Sequence, residues 1–158
     1  MLDRFRSQGL KVAIARPSAL FGCGGPKTKL LHRFLDTAAR GEVISLVPPV
    51  TDRIDFLHAA DFSNAIIKII EKNFWGTLNF SSGRPVSIYE LACECVAAAG
   101  SGHVEVMDIK KVYEPCERFF LATERAWQKL EWEPCIGIKE GLSMTLREQL
   151  LPKGSPVV

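Results

Sequence analysis

Apolar and polar positions alternate along this chain in two rhythms, one of strands and one of helices. Val12 to Ala15 is a short continuous apolar run, closed by Arg16-Pro17. Such a run, ended by turn residues, predicts a strand from Lys11 to Arg16 buried on both faces, as in a parallel sheet. Upstream, Leu2 to Ser7 reads as the last turns of a helix with Gly9 as its left-handed cap. Downstream, Pro17 to Lys27 is loop. Leu30, Leu31, Phe34, Leu35 and Ala38 then recur at helical spacing, predicting a helix over 28–40 that Gly41 ends. Val43 to Val47 reads as a strand stopped by Pro48-Pro49, and Ile54 to His58 as a short extended piece.

Asp61 is placed to cap a helix whose apolar stripe is Ala65, Ile66, Ile69 and Ile70. Gly76 to Phe80 is a strand followed by a Ser81-Ser82-Gly83 turn. Ser87 and Glu90 form a capping box for a helix over 88–99, which Gly100 to Gly102 closes. His103 to Met107 alternates like a half-exposed strand, and 110–118 is loop. Thr123 is placed to cap a short helix through Leu130. A last helix runs from Gly137 to Leu150, with Leu142, Met144, Leu146 and Leu150 near one stripe, and a frayed tail is expected over 151–158. Strands alternating with helices indicate an α/β chain.

Composition narrows the function classes. A length of 158 residues suits one domain, and 47% hydrophobic residues supply a core. The formal net charge of +2, with cations scattered among acids, argues against nucleic acid as a partner. No apolar stretch nears the roughly 20 residues of a membrane span, and the first residues lack a signal-peptide core; a cytoplasmic protein without a membrane is expected. The cysteines number 5, an odd count that is no disulfide framework. Cys93 and Cys95 are two apart on a helix and make a poor metal pair. His32, His58 and His103 lack metal-like spacing, so no metal site is expected.

Five segments, taken in order, carry a resemblance. They are Arg16-Pro-Ser-Ala-Leu-Phe-Gly22, Arg53-Ile-Asp-Phe-Leu-His-Ala-Ala-Asp61, Leu78-Asn-Phe-Ser-Ser-Gly83, Val86-Ser-Ile-Tyr-Glu-Leu91 and Leu130-Glu-Trp-Glu-Pro134 with Gly141-Leu142. Together they resemble the C-terminal half of the extended short-chain dehydrogenase/reductase family, the NAD-dependent epimerases and dehydratases. The resemblance implies the last strands of a Rossmann-type parallel sheet plus the small C-terminal substrate-binding subdomain. It implies NAD or NADP as the cofactor of the full-length enzymes and a nucleotide-sugar-like small molecule as the substrate.

Two family features are missing from this sequence. Gly22-Cys-Gly-Gly25 is followed by Pro26 and Lys27-Thr-Lys29, not by a phosphate-binding helix start with an acidic ribose partner, and it reads as a turn. The catalytic Y-x-x-x-K pair has no counterpart; Tyr89, the first tyrosine, has no lysine four residues on. No catalytic residue is therefore assigned, and the chain alone is expected to bind no cofactor and to be inactive.

The resemblance still suggests binding residues. Pro17, with Ser18 beside it, corresponds to the family's contact with the nicotinamide amide; the alternative is that Pro17 only ends the strand. Phe21 stands where the family has Tyr and lacks its hydroxyl, and Ala19 stands where it often has a substrate-binding Asn. Ile54 falls at the family's diphosphate-gripping Arg, with Arg53 one place earlier and so turned to the other face of an extended strand. Arg53 and Arg118 are the candidate diphosphate contacts, since a guanidinium fork matches phosphate oxygens. Val43 to Val47 is a candidate wall for the base. The rival reading is a non-catalytic binding or sheet-completing module whose open strand edge needs a partner chain or a second copy.

Overall fold

The computed structural model describes residues 7–108 and 121–150. The expected N-terminal helix before Ser7, the 110–118 loop with Arg118 and the tail lie outside the described residues. Strands are β1 (Ala13–Pro17), β2 (Ala19–Phe21), β3 (Val43–Leu46), β4 (Arg53–Ile54), β5 (Phe56–His58), β6 (Gly76–Phe80), β7 (Val86–Ser87) and β8 (His103–Val106). Helices are α1 (Leu30–Ala39), α2 (Ala59–Glu71), α3 (Ile88–Ala99), α4 (Glu124–Leu130) and α5 (Ile138–Leu150). The α/β alternation read from the sequence is observed, with one correction: the expected 17–27 loop contains β2, which leaves the strand end of β1 to pair in parallel with β5.

The strands pair in twos. β1 and β6 run parallel with Ala13 opposite Gly76 and Pro17 opposite Phe80. β2 and β5 are parallel, as are β3 and β8, while β4 and β7 are antiparallel with Arg53 opposite Ser87 and Ile54 opposite Val86. β1 departs from expectation in its burial. All but Arg16 of its residues are half-buried and Arg16 is exposed. Ala13 and Ala15 pack on a core, but β6 is the strand's one partner among the described residues, so it lacks the second cover that a central parallel strand has.

Two apolar clusters hold the chain. One joins α1, β3, α3 and α5 through Leu31, Leu35, Ile44, Leu46, Leu91, Cys95 and Leu142. The other gathers Leu57, Leu78, Phe80, Leu130 and Trp132, with Phe80 edge-on to Trp132 at 5.0 Å between ring centroids. The capping box is as expected: the Glu90 N–H donates to Ser87 Oγ at 3.0 Å and the Ser87 N–H to Glu90 Oε2 at 2.7 Å. The α2 stripe is narrower than expected, because Ile70 is 72% exposed.

Asp61 does something other than cap. The N-cap of α2 is His58, whose Nδ1 accepts from the Ala60 N–H at 3.3 Å. Asp61 lies in the first turn, buried, and its carboxylate accepts from the Cys135 N–H at 3.1 Å and the Ile136 N–H at 2.9 Å. It fastens the segment leading into α5 onto α2. Thr123 precedes α4 but makes no side-chain cap bond. Glu131 ends α4 with φ of 52°, in the left-handed region that favours glycine.

Candidate functional site

The carboxyl ends of β1 and β6 meet β5 at a buried carboxylate. Asp55, between β4 and β5, accepts from Ser18 Oγ at 2.9 Å and from the Ser82 N–H at 2.8 Å. The Ser18 N–H donates to the Phe80 carbonyl at 2.8 Å and the Ala19 N–H to the Asp55 carbonyl at 3.1 Å. One aspartate thus ties the Arg16-Pro-Ser segment to the Ser81-Ser82-Gly83 turn. Sequence reasoning passed over it. The signal was a polar residue inside the apolar run Ile54 to Leu57, a position that must find hydrogen bonds when buried.

The candidate residues fall in different places. Pro17 and Ser18 sit at this strand end, half-buried, with the Ser18 hydroxyl on Asp55. Phe21 is buried, edge-on to His58 at 5.1 Å and to Phe56 at 6.3 Å. Arg53 is exposed, with Nη1 on the Pro85 carbonyl at 2.8 Å and Nη2 on Glu90 Oε1 at 3.1 Å. The N–H of Ser87, and then Arg53, hold the Glu90 carboxyl below its ordinary range. In β3, Ile44 and Leu46 turn into the core, while Val43 and, just after the strand, Val47 are exposed.

A cavity of about 440 Å³ opens beside β5 and β7. Phe56 and Val86 line one side and the 134–140 segment entering α5 lines the other. Ser82 and the cations Arg84 and Lys139 add polar groups, with Glu140 as the acid. Volume and mixed lining suit a small-molecule site. Ile54 and Val86 are cross-strand partners, so Val86 marks the face opposite that of Arg53. Arg53 is not among the lining residues, and neither is the Val43–Val47 strand.

The glycine loop is not a pyrophosphate cradle. A Cβ at Gly25 would lie 1.9 Å from His32 Nε2, and one at Gly22 would lie 3.1 Å from the Ala59 Cβ. These glycines admit the protein's own rings and methyls where a cradle would admit phosphate. The described residues therefore do not fit the dinucleotide's phosphates. His32 and His58 are buried beside this loop, and burial pushes both imidazoles below their usual pKa. Among the described residues no cluster of His, Cys, Asp or Glu is arranged to hold a metal, and no helix is long and apolar enough to cross a membrane.

The model of the NAD dependent epimerase/dehydratase family matches residues 1–79. The chain belongs to that family. Among curated relatives, UDP-glucuronic acid decarboxylase 3 of Arabidopsis thaliana is 26% identical over 149 residues, covering 91% of this chain and 42% of the relative. UDP-glucuronic acid decarboxylase 6 of the same plant is 25% identical and covers 99% and 46%. The chain thus spans less than half the length of these relatives. Among solved structures, UDP-N-acetylglucosamine 4-epimerase from Bacillus cereus matches with a TM-score of 0.80 at 21% identity, covering 95% of this chain and 50% of that one. UDP-glucose 4-epimerase from Thermotoga maritima, solved with UDP-glucose, matches at 0.75 and 24%, covering 95% and 50%. The dTDP-glucose 4,6-dehydratase of Bacillus anthracis, solved with NAD, matches at 0.78 and 21%, covering 94% and 48%. These likenesses show the epimerase/dehydratase fold in the short parallel pairings of β1–β6, β2–β5 and β3–β8.

Proposed function

We propose that this chain is the substrate-binding portion of an epimerase/dehydratase-type protein, taking a nucleotide sugar, and that it is inactive alone. The observation that carries this is the cavity on the Ile54–Val86 face, in a chain of this family. Several relatives and neighbours are named for UDP-linked sugars. Phe56, Val86, Ile136 and Ile138 offer apolar contact to the ligand's body, and Ser82, Arg84, Lys139 and Glu140 offer polar contacts to its hydroxyls and phosphates.

Chemistry at the sugar belongs to residues this chain lacks. It has no Y-x-x-x-K pair for the proton, and its glycine loop closes on His32. What it contributes is placement. Asp55 holds Ser18 and Ser82 together, fixing the strand ends where the nicotinamide contact through Pro17 and Ser18 and the substrate would meet.

The test is ligand-dependent stability. UDP-glucose, used as the probe, raises the melting temperature of the chain in proportion to the logarithm of its concentration once above Kd. NAD leaves it unchanged, and the chain produces no NADH absorbance with both present. No shift with UDP-glucose overturns the reading.

A second reading rests on β1. The half-buried strand with one partner is suited to completing a sheet with another chain or a second copy. Light scattering of the chain over a concentration series tests it: a dimer supports sheet completion, and a monomer at every concentration removes the second copy.

A further inference from the structure

We infer that Arg84 is the cation that grips the diphosphate of the nucleotide sugar, in place of the arginine that Ile54 replaces. The inference rests on the substrate-binding reading and assigns within it the residue that recognises the anion.

Ile54 faces Val86 across the β4–β7 ladder, so a group two residues before Val86 starts about 6.6 Å along the chain from the lost arginine's neighbour. That is within reach of an extended arginine side chain. Arg84 lines the cavity together with Val86 and Phe56. Arg53, the arginine nearest Ile54 in sequence, is turned to the other face and spent on the Pro85 carbonyl and Glu90.

Arg40 and Arg53 are committed to carboxylates where Arg84 is not. Arg40 is held by Asp36 and Glu42, and Arg53 by Glu90. Among the described residues Arg84 has no carboxylate partner, yet its backbone is fixed. Its N–H donates to Ser82 Oγ at 3.1 Å, and Pro85 after it restricts it to extended conformations. A rigidly rooted, uncommitted guanidinium at the rim of an apolar-walled cavity can form a bidentate pair with phosphate without breaking an internal bond. Lys139, the other lining cation, lies 3.4 Å from Glu94, and Glu140 adds a negative charge on the same helix. The α5 side of the cavity is therefore net negative, and the anion belongs on the Arg84 side. Glu140 is left as an acceptor for sugar hydroxyls.

The experiment is calorimetric titration of the full chain and of Arg84→Ala, Arg84→Lys and Arg53→Ala with UDP-glucose and with uridine. Arg84→Ala is expected to weaken UDP-glucose about 10- to 100-fold, the size of one lost charged bidentate contact, while uridine changes less than about 3-fold. Arg84→Lys recovers part of the loss, because it restores the charge without the fork. Arg53→Ala stays within about 3-fold. Circular dichroism melts of each variant establish that it is folded, and the exposed turn position of Arg84 favours that outcome. If Arg84→Ala binds UDP-glucose as tightly as the original chain, or loses uridine equally, the assignment is overturned while the substrate-binding reading stands. If the original chain binds no UDP-glucose, the reading fails and the assignment with it.

Discussion

Replacing Asp61 with alanine removes one buried carboxylate and strands two backbone donors. Asp61 is 6% exposed and accepts from Cys135 and Ile136 at 3.1 and 2.9 Å, while its own carbonyl accepts from Trp132 Nε1 at 3.1 Å. A hydrogen bond to a charged group contributes about 1.5–3 kcal/mol, and an orphaned buried donor loses its hydration as well. The carboxylate also opposes the positive end of α2, adding about 0.3–1 kcal/mol. Alanine's better helix propensity returns about half a kcal/mol. The two amides are adjacent and not independent, so the expected loss is about 3 kcal/mol rather than the full sum. Urea unfolding followed by tryptophan fluorescence reads it. With an m-value near 2 kcal/mol/M, the midpoint falls by about 1.5 M. Asp61→Asn keeps one acceptor oxygen and should lose about half as much. A simple first-turn carboxylate contributes no more than about 1 kcal/mol. A loss below that for Asp61→Ala would refute the role of Asp61 as the fastener between α2 and the 134–138 segment.

Other expectations follow from the same contacts. His32 and His58 are buried as neutral rings, with both nitrogens of His32 and Nε2 of His58 lacking a partner. Their folded pKa values lie below the ordinary 6.5, so the unfolded chain binds more protons and stability is complete above that pH. It declines as pH falls below about 6.5 and on through the folded values. Asp61, Glu148 and Glu140 partly offset this at His58. Urea midpoints from pH 8 to pH 5 measure the slope, and His32→Gln should flatten it. Gly141→Ala sets a methyl 2.6 Å from the Phe21 ring and 3.0 Å from the His58 ring, and should cost about 1–3 kcal/mol in the same unfolding assay. Glu131→Gly relieves the left-handed backbone at the end of α4, worth about 1 kcal/mol, and forfeits only the exposed pair with Lys72. A net rise in the melting temperature is expected, and a fall would show that the pair outweighs the backbone.

Local signals carried most of the element order. The Ser87–Glu90 capping box gives both of its bonds, and the 88–99 helix follows where the apolar spacing put it. The strands β1 and β6 were legible because each is a short run bounded by turn residues. Less legible was anything set by distant contacts. Asp61 reads as a cap because a cap is local, while its true partners lie 74 and 75 residues away. Asp55 joins Ser18 and Ser82, 37 and 27 residues from it, and no spacing rule links those three. Arg53 reads as a diphosphate contact by proximity to Ile54, but pleat alternation sends it toward Glu90. Arg84, a turn arginine beside a proline, reads as a solvent-facing residue, and only the cavity it lines sets it apart.

The most direct test of the central claim is to titrate the isotopically labelled chain separately with UDP-glucose and with NAD and follow its amide resonances. UDP-glucose is expected to move the resonances of Phe56, Ser82, Arg84, Val86 and the 136–139 segment in saturable fashion. NAD should leave the Gly22–Gly25 loop and every other resonance in place. Saturable shifts of that loop with NAD, or none at the cavity with UDP-glucose, would contradict it.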